Sequence, residues 1–147
     1  MRQSDSDEYS WINLPGTNDN LAHFQEFLLD QARARNASPQ IVQKLDLILE
    51  EVLLNIMNYA FPADTPGIIK AGLRVNPQNM LDIRIIDEGS SFDPSAKPDP
   101  DTTLAVEDRE IGGLGIFLVR QMADNISYKR ENGQNILDIC FSLETKQ

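Results

Sequence analysis

Ile68-Ile69-Lys70-Ala71-Gly72-Leu73-Arg74-Val75-Asn76-Pro77-Gln78-Asn79-Met80-Leu81-Asp82-Ile83-Arg84-Ile85-Ile86 (IIKAGLRVNPQNMLDIRII) decides the fold. Ile68 to Val75 reads as one strand and Met80 to Ile86 as the next, which alternates around Leu81, Ile83 and Ile85. Asn76-Pro77-Gln78-Asn79 between them is turn chemistry, so the two strands are antiparallel neighbours. A second hairpin closes the chain. Ile126 to Arg130 and Asn135 to Leu143 flank Asn132-Gly133, a two-residue turn of the type I′ kind.

The segments before the first hairpin have a different period. Tyr9 to Leu14 reads as a short strand stopped by Pro15-Gly16. Thr17 or Asn18 then caps a helix to about Arg35, with Leu21, Phe24, Leu28 and Ala32 along one side. Asn36-Ala37 is a joint. Ser38-Pro39 starts a second helix, with Ser as N-cap and Pro at the first helical position, and this helix runs to about Ala60 before Pro62. Helices that precede or interrupt hairpin-linked strands imply an α+β two-layer sandwich, with helices on one face of a mostly antiparallel sheet.

The length of 147 residues fits one domain, expected over 9–147 behind a frayed polar end at 1–8. A formal net charge of −10 argues against direct nucleic-acid binding and against docking on anionic membranes. No apolar run approaches the roughly 18 residues of a membrane span, and the first residues lack the apolar stretch of a signal peptide, so the expected location is the cytoplasm. One His and one Cys argue against zinc. His23 reads as structural, and Cys140 as a small core residue with no intrachain disulfide to make.

The second helix carries an odd polar sector. On a wheel of roughly 100° per residue, Ile41, Leu45, Leu49, Val52 and Ile56 lie within roughly 40° of Leu45 and should face the sheet. Leu47 and Leu54 lie opposite, so that side is also expected to be covered, by the first helix or by a second subunit. Between the two runs a narrow strip of Lys44, Glu51, Asn55 and Asn58. Glu51 and Asn55, at i and i+4, stack on one face. This pair is either a solvated helix edge or a functional slot. In the second case the Asn oxygen suits Mg²⁺ and a partly buried Glu suits a general base.

Two further stretches bear on that choice. Asp87-Glu88-Gly89 follows the second strand. It is either only a turn, or an acceptor for an exocyclic amine such as that of adenine, with Gly89 letting a flat ring come close. Gly112-Gly113-Leu114-Gly115 opens a helix, where it is either structural or suited to phosphate at a positive helix end. It lacks the Lys-Ser/Thr of a P-loop and follows no βαβ strand, so it is not a dinucleotide fingerprint. The roughly twenty residues from Ser90 to Ile111 are long for a loop in a small domain and read as a lid.

In this order, Glu51-x-x-x-Asn55, Asp87-x-Gly89 with Phe92-Asp93-Pro94, and Gly113-x-Gly115 resemble the N-box and glycine boxes of the ATP-binding domain shared by gyrase, MutL and sensor histidine kinases. The likeness is closest to the small bacterial anti-sigma factor serine kinases and runs from about Leu14 to Leu143. It implies the histidine-kinase-like (Bergerat) type of sandwich and an enzyme using ATP and Mg²⁺ to phosphorylate a serine of a small STAS-type anti-anti-sigma protein. It further implies Glu51 as general base, Asn55 as Mg²⁺ ligand, Asp87 on the adenine amine with Gly89 beside the ring, and Gly113 and Gly115 against the phosphates. Asn58, Tyr59, Phe92, Gly112 and Leu114 fall in the same boxes and are expected around the nucleotide. The lid would span 95–111, with Arg109 reaching the γ-phosphate. A sigma factor and a homodimer are further expected partners. Ser91 stands where some relatives have a second glycine, and Asn58-Tyr59 where several have a His. Two other readings stay open: an interaction module that binds ATP only as a switch, and an acidic α+β domain without nucleotide.

Overall fold

The computed structural model describes residues 8–61, 65–91 and 122–143. Five strands, β1 (Ser10–Pro15), β2 (Ile68–Val75), β3 (Met80–Asp87), β4 (Asn125–Glu131) and β5 (Gln134–Ser142), form one sheet in the order β1-β2-β3-β5-β4. Every neighbouring pair is antiparallel. Two helices, α1 (Leu21–Ala34) and α2 (Pro39–Tyr59), pack on one face of the sheet. The α+β two-layer sandwich expected from the hairpins is the observed fold.

Local chemistry sets the element boundaries. Ser38 Oγ accepts a hydrogen bond from Ile41 N at 3.2 Å and caps α2. α1 ends in a Schellman motif: Ala37 N donates to Ala32 O, Asn36 N donates to Arg33 O, and Asn36 takes φ 67°. The β2–β3 turn is wrapped around Asn76, whose Oδ1 accepts from Gln78 N and Met80 N. Asn132 and Gly133 at φ 54° and 78° make the type I′ turn of the last hairpin.

The start of α1 differs from expectation. Residues Asn18–Asn20 form a 3₁₀ turn before the helix, and no side chain caps either segment. Asn20 instead donates to Pro15 O at 2.9 Å and to Thr17 Oγ1, which ties the turn back to β1.

The core lies between the helices and the inner sheet face. Period-two alternation puts Ile69, Ala71 and Leu73, then Leu81, Ile83 and Ile85, then Leu137, Ile139 and Phe141 on that face, all buried. Phe24, Leu28, Leu45, Leu49, Val52 and Ile56 meet them from above. Each fully buried Leu or Ile contributes roughly 1.5–3 kcal/mol, which makes α2 the central column of the domain.

One side-chain expectation is narrowed and one is corrected. Leu47 is 52% exposed, so α1 does not cover it, and Leu54 is half-buried. Cys140 is half-exposed on the outer sheet face rather than in the core. Partial burial, and then the carboxylates of Asp82, Asp124 and Asp138, push its thiol pKa up to about 12. It is therefore an inert thiol at neutral pH. His23 is an exposed residue of α1.

Candidate functional site

The site is built where the end of α2 meets the end of β3. The Glu51–Asn55 pair forms as the i, i+4 spacing requires: Asn55 Nδ2 donates to Glu51 Oε2 at 3.1 Å. Asn55 is 9% exposed. With its amide nitrogen turned to Glu51, the carboxamide oxygen is left to accept or to ligate. Burial raises the Glu51 pKa, the Asn55 hydrogen bond opposes this, and the neighbouring Glu50 charge adds to it. Lys44 and Asn58 are exposed, as is Tyr59 on the last turn of α2.

Asp87 is the last residue of β3 rather than a residue beyond it, and only 2% exposed. Its Oδ1 accepts from Gly89 N at 2.8 Å and from Asn135 Nδ2 at 2.9 Å. Among the described residues no donor reaches Oδ2. Burial raises the Asp87 pKa, and the Asn135 amide, the Gly89 N–H and the Arg130 charge oppose the rise. The bonds that shape this corner are the ones a carboxylate held as an acceptor needs.

The two halves are bonded to each other. Ser90 N and Ser90 Oγ both donate to Ala60 O, at 2.9 and 3.2 Å, so the C-terminal carbonyl of α2 clasps the turn after β3. Gly89 is required by this contact: a Cβ there would collide with the Ala60 carbonyl oxygen. Asn55 lies five residues before Ala60, about 7.5 Å along the helix axis. The slot on α2 and the buried carboxylate therefore share one wall.

Sequence reasoning missed three residues of this wall. Asn135 on β5 also donates to Ser90 O at 2.8 Å, and its Oδ1 accepts from Tyr128 OH at 2.6 Å and from Arg130 Nη1 at 3.1 Å. Arg130 also donates to Gly89 O at 2.8 Å. A signal was present: Asn135 shares the inward phase of Leu137, Ile139 and Phe141, and a polar residue in an apolar phase needs partners. Phe92, Arg109, Gly112, Gly113, Leu114, Gly115 and the expected lid at 95–111 lie outside the described residues.

The family model described as the histidine kinase-like ATPase domain matches residues 14–141, and the chain belongs to that family.

Among curated relatives, it is 32% identical over 95 residues to the serine/threonine-protein kinase BtrW of Bordetella bronchiseptica. It is 27% identical over 104 residues to the serine-protein kinase RsbW of Listeria innocua. These matches cover 65% and 68% of this chain and 66% of each relative, so the chain spans just under two thirds of their length. Among solved structures, the RsbU and RsbW domains of Rv1364c from Mycobacterium tuberculosis superpose with a TM-score of 0.67 at 11% identity, over 95% of this chain and 33% of that one. A chain of the SiaB–SiaC complex of Pseudomonas aeruginosa gives 0.59 at 16% identity, over 94% of this chain and 92% of that one. Both confirm the sandwich fold.

Proposed function

We propose that this chain is an ATP- and Mg²⁺-dependent protein serine kinase whose substrate is a small STAS-type anti-anti-sigma protein. The observation that carries the reading is the shared wall: the Glu51–Asn55 pair on α2 and the buried Asp87 carboxylate on β3, clasped through Ala60 and Ser90. The family and the names of the curated kinase relatives support it.

In this reading Asp87 offers Oδ2 to the adenine amine and Gly89 lies beside the ring. The Asn55 oxygen would hold Mg²⁺ together with phosphate oxygens and retained waters, as is usual for this ion. When bound, Mg²⁺ neutralises charge on the phosphates. Glu51, one turn away, takes the proton of the attacking serine hydroxyl, and the raised pKa that burial gives it suits a base. The family resemblance would assign Gly113 and Gly115 to the phosphates and Arg109 to the γ-phosphate. Positioning and charge neutralisation then carry phosphoryl transfer. The wider assignment is an anti-sigma regulator in the cytoplasm that also holds a sigma factor and pairs with a second copy. Among the described residues no helix is long and apolar enough to cross a membrane.

Calorimetry with ATP, with and without Mg²⁺, tests the site on wild type, Asn55→Ala and Asp87→Asn. Mg²⁺-dependent binding weakened by both changes is the expected result, and no binding at millimolar ATP would sink it. A phosphotransfer assay on a STAS protein then separates kinase from switch. Glu51→Ala is expected to lower the rate by about 10²–10⁴-fold with ATP still bound. Wild-type ATP binding without any transfer would favour the switch reading.

A further inference from the structure

We infer that Asn135 is the positioning residue that gives this site its selectivity for a 6-aminopurine, by locking the Asp87 carboxylate so that only Oδ2 faces the ligand. The inference rests on the reading of Asp87 as the base-recognising acceptor. It assigns a role to a β5 residue through its bond to Asp87.

The hydrogen-bond capacity of the Asn135 carboxamide is fully used. Its two N–H bonds go to Asp87 Oδ1 and Ser90 O, and its oxygen accepts from Tyr128 and Arg130. The orientation is not interchangeable. Arg130 carries donors only, so the amide oxygen must face it and the amide nitrogen must face Asp87. Asp87 Oδ1 thus receives two donors, Gly89 N and Asn135 Nδ2, from two different segments. A carboxylate pinned this way at one oxygen cannot rotate without losing both bonds. Its second oxygen is held at one angle and accepts an N–H donor. A 6-aminopurine supplies that donor, while a 6-oxopurine would oppose an acceptor to an acceptor. Without Asn135, Asp87 keeps only the Gly89 bond and can turn, and selectivity falls even if the carboxylate remains.

The test compares the dissociation constants of ATP and of purine riboside triphosphate, which lacks the 6-amino group, on the full chain. Wild type is expected to prefer ATP by about tenfold or more, the range of a hydrogen bond to a charged group. Asn135→Ala should compress the ratio to within about threefold, chiefly by weakening ATP. Tyr128→Phe removes one donor on the Asn135 oxygen and should compress it partway, and it decides the matter if Asn135→Ala does not fold by circular dichroism. A merely structural role predicts equal weakening of both ligands. A ratio left at the wild-type value in folded Asn135→Ala, or in Tyr128→Phe where it is the only folded variant, overturns the inference alone. Wild type that binds neither triphosphate overturns the ATP reading and this inference with it.

Discussion

Glu51 is a residue whose stability and function pull in opposite directions. Burial raises its pKa, so the folded state favours the neutral acid more than the unfolded chain does. That contribution is fully present below the ordinary carboxylate pKa of 4.5 and is lost as pH rises through the raised folded value. The proposed base must be ionised, so that role demands the form that folding disfavours. Glu51→Gln keeps the shape and removes the ionisation. Its melting temperature is expected to match wild type below pH 4.5 and to exceed it once pH has passed the raised folded value, while phosphotransfer falls. A melting temperature that falls below wild type at neutral pH would show that the ionised carboxylate stabilises the fold. On the proposed kinase reading, activity should climb with pH through a value above the ordinary 4.5 of a Glu carboxyl. The contact of Glu51 with Asn55 and the turn at Asp87 were legible in the sequence, because i, i+4 spacing and an Asp-x-Gly turn are local. The environment that makes Asp87 an acceptor was not, since Asn135 reaches it from 48 residues away.

At the scale of elements, the boundaries written in short motifs were the readable ones. Ser38-Pro39, Asn36, Asn76 and Asn132-Gly133 each close a local hydrogen-bonded ring, and local rings depend on a few adjacent residues. Replacing Ser38 with Ala should cost about 1 kcal/mol, seen as a lower midpoint in urea with an unchanged slope. The 3₁₀ entry to α1 was not readable, because Asn20 spends its side chain on Pro15 rather than on the helix. Contacts between elements separate two glycines that look equivalent in sequence. Gly133 has φ +78° and open space where a Cβ would go, so Gly133→Ala should cost about 1 kcal/mol through backbone strain and leave nucleotide binding intact. Gly89→Ala must push against the Ala60 carbonyl and open the clasp between α2 and the β3 turn. It is expected to abolish ATP binding by calorimetry. Binding retained within threefold would mean that the clasp does not shape the site.

For the whole molecule, the sheet order β1-β2-β3-β5-β4 creates an outer face that no single strand announces. Arg84 of β3 meets Asp138 of β5 in a two-bond pair at 2.7 and 2.9 Å, and Arg74 meets Asp82 at 3.1 Å. Tyr9 stacks on Trp11 with ring centroids 4.9 Å apart, and Lys70 sits 4.5 Å over the Trp11 ring. Alternation told which residues leave the core, but pairings across 54 residues follow only from topology. These pairs locally balance charge on a chain whose formal net charge is −10. Two effects then oppose each other when salt is added. Screening weakens half-exposed ion pairs worth about 0–1 kcal/mol each, and it relieves the self-repulsion of the excess carboxylates. With few such pairs among the described residues and a formal net charge of −10, relief should win. Raising sodium chloride from about 0.02 to 0.5 M, which shortens the screening length from over 20 Å to under 5 Å, is expected to raise the melting temperature by a few degrees. The same titration on Arg84→Met should start lower and rise more steeply, since that change removes a cation and leaves Asp138 unpaired beside Asp82. A melting temperature that falls with salt in wild type would instead mean that the outer-face pairs, rather than net repulsion, set the electrostatic stability of the fold.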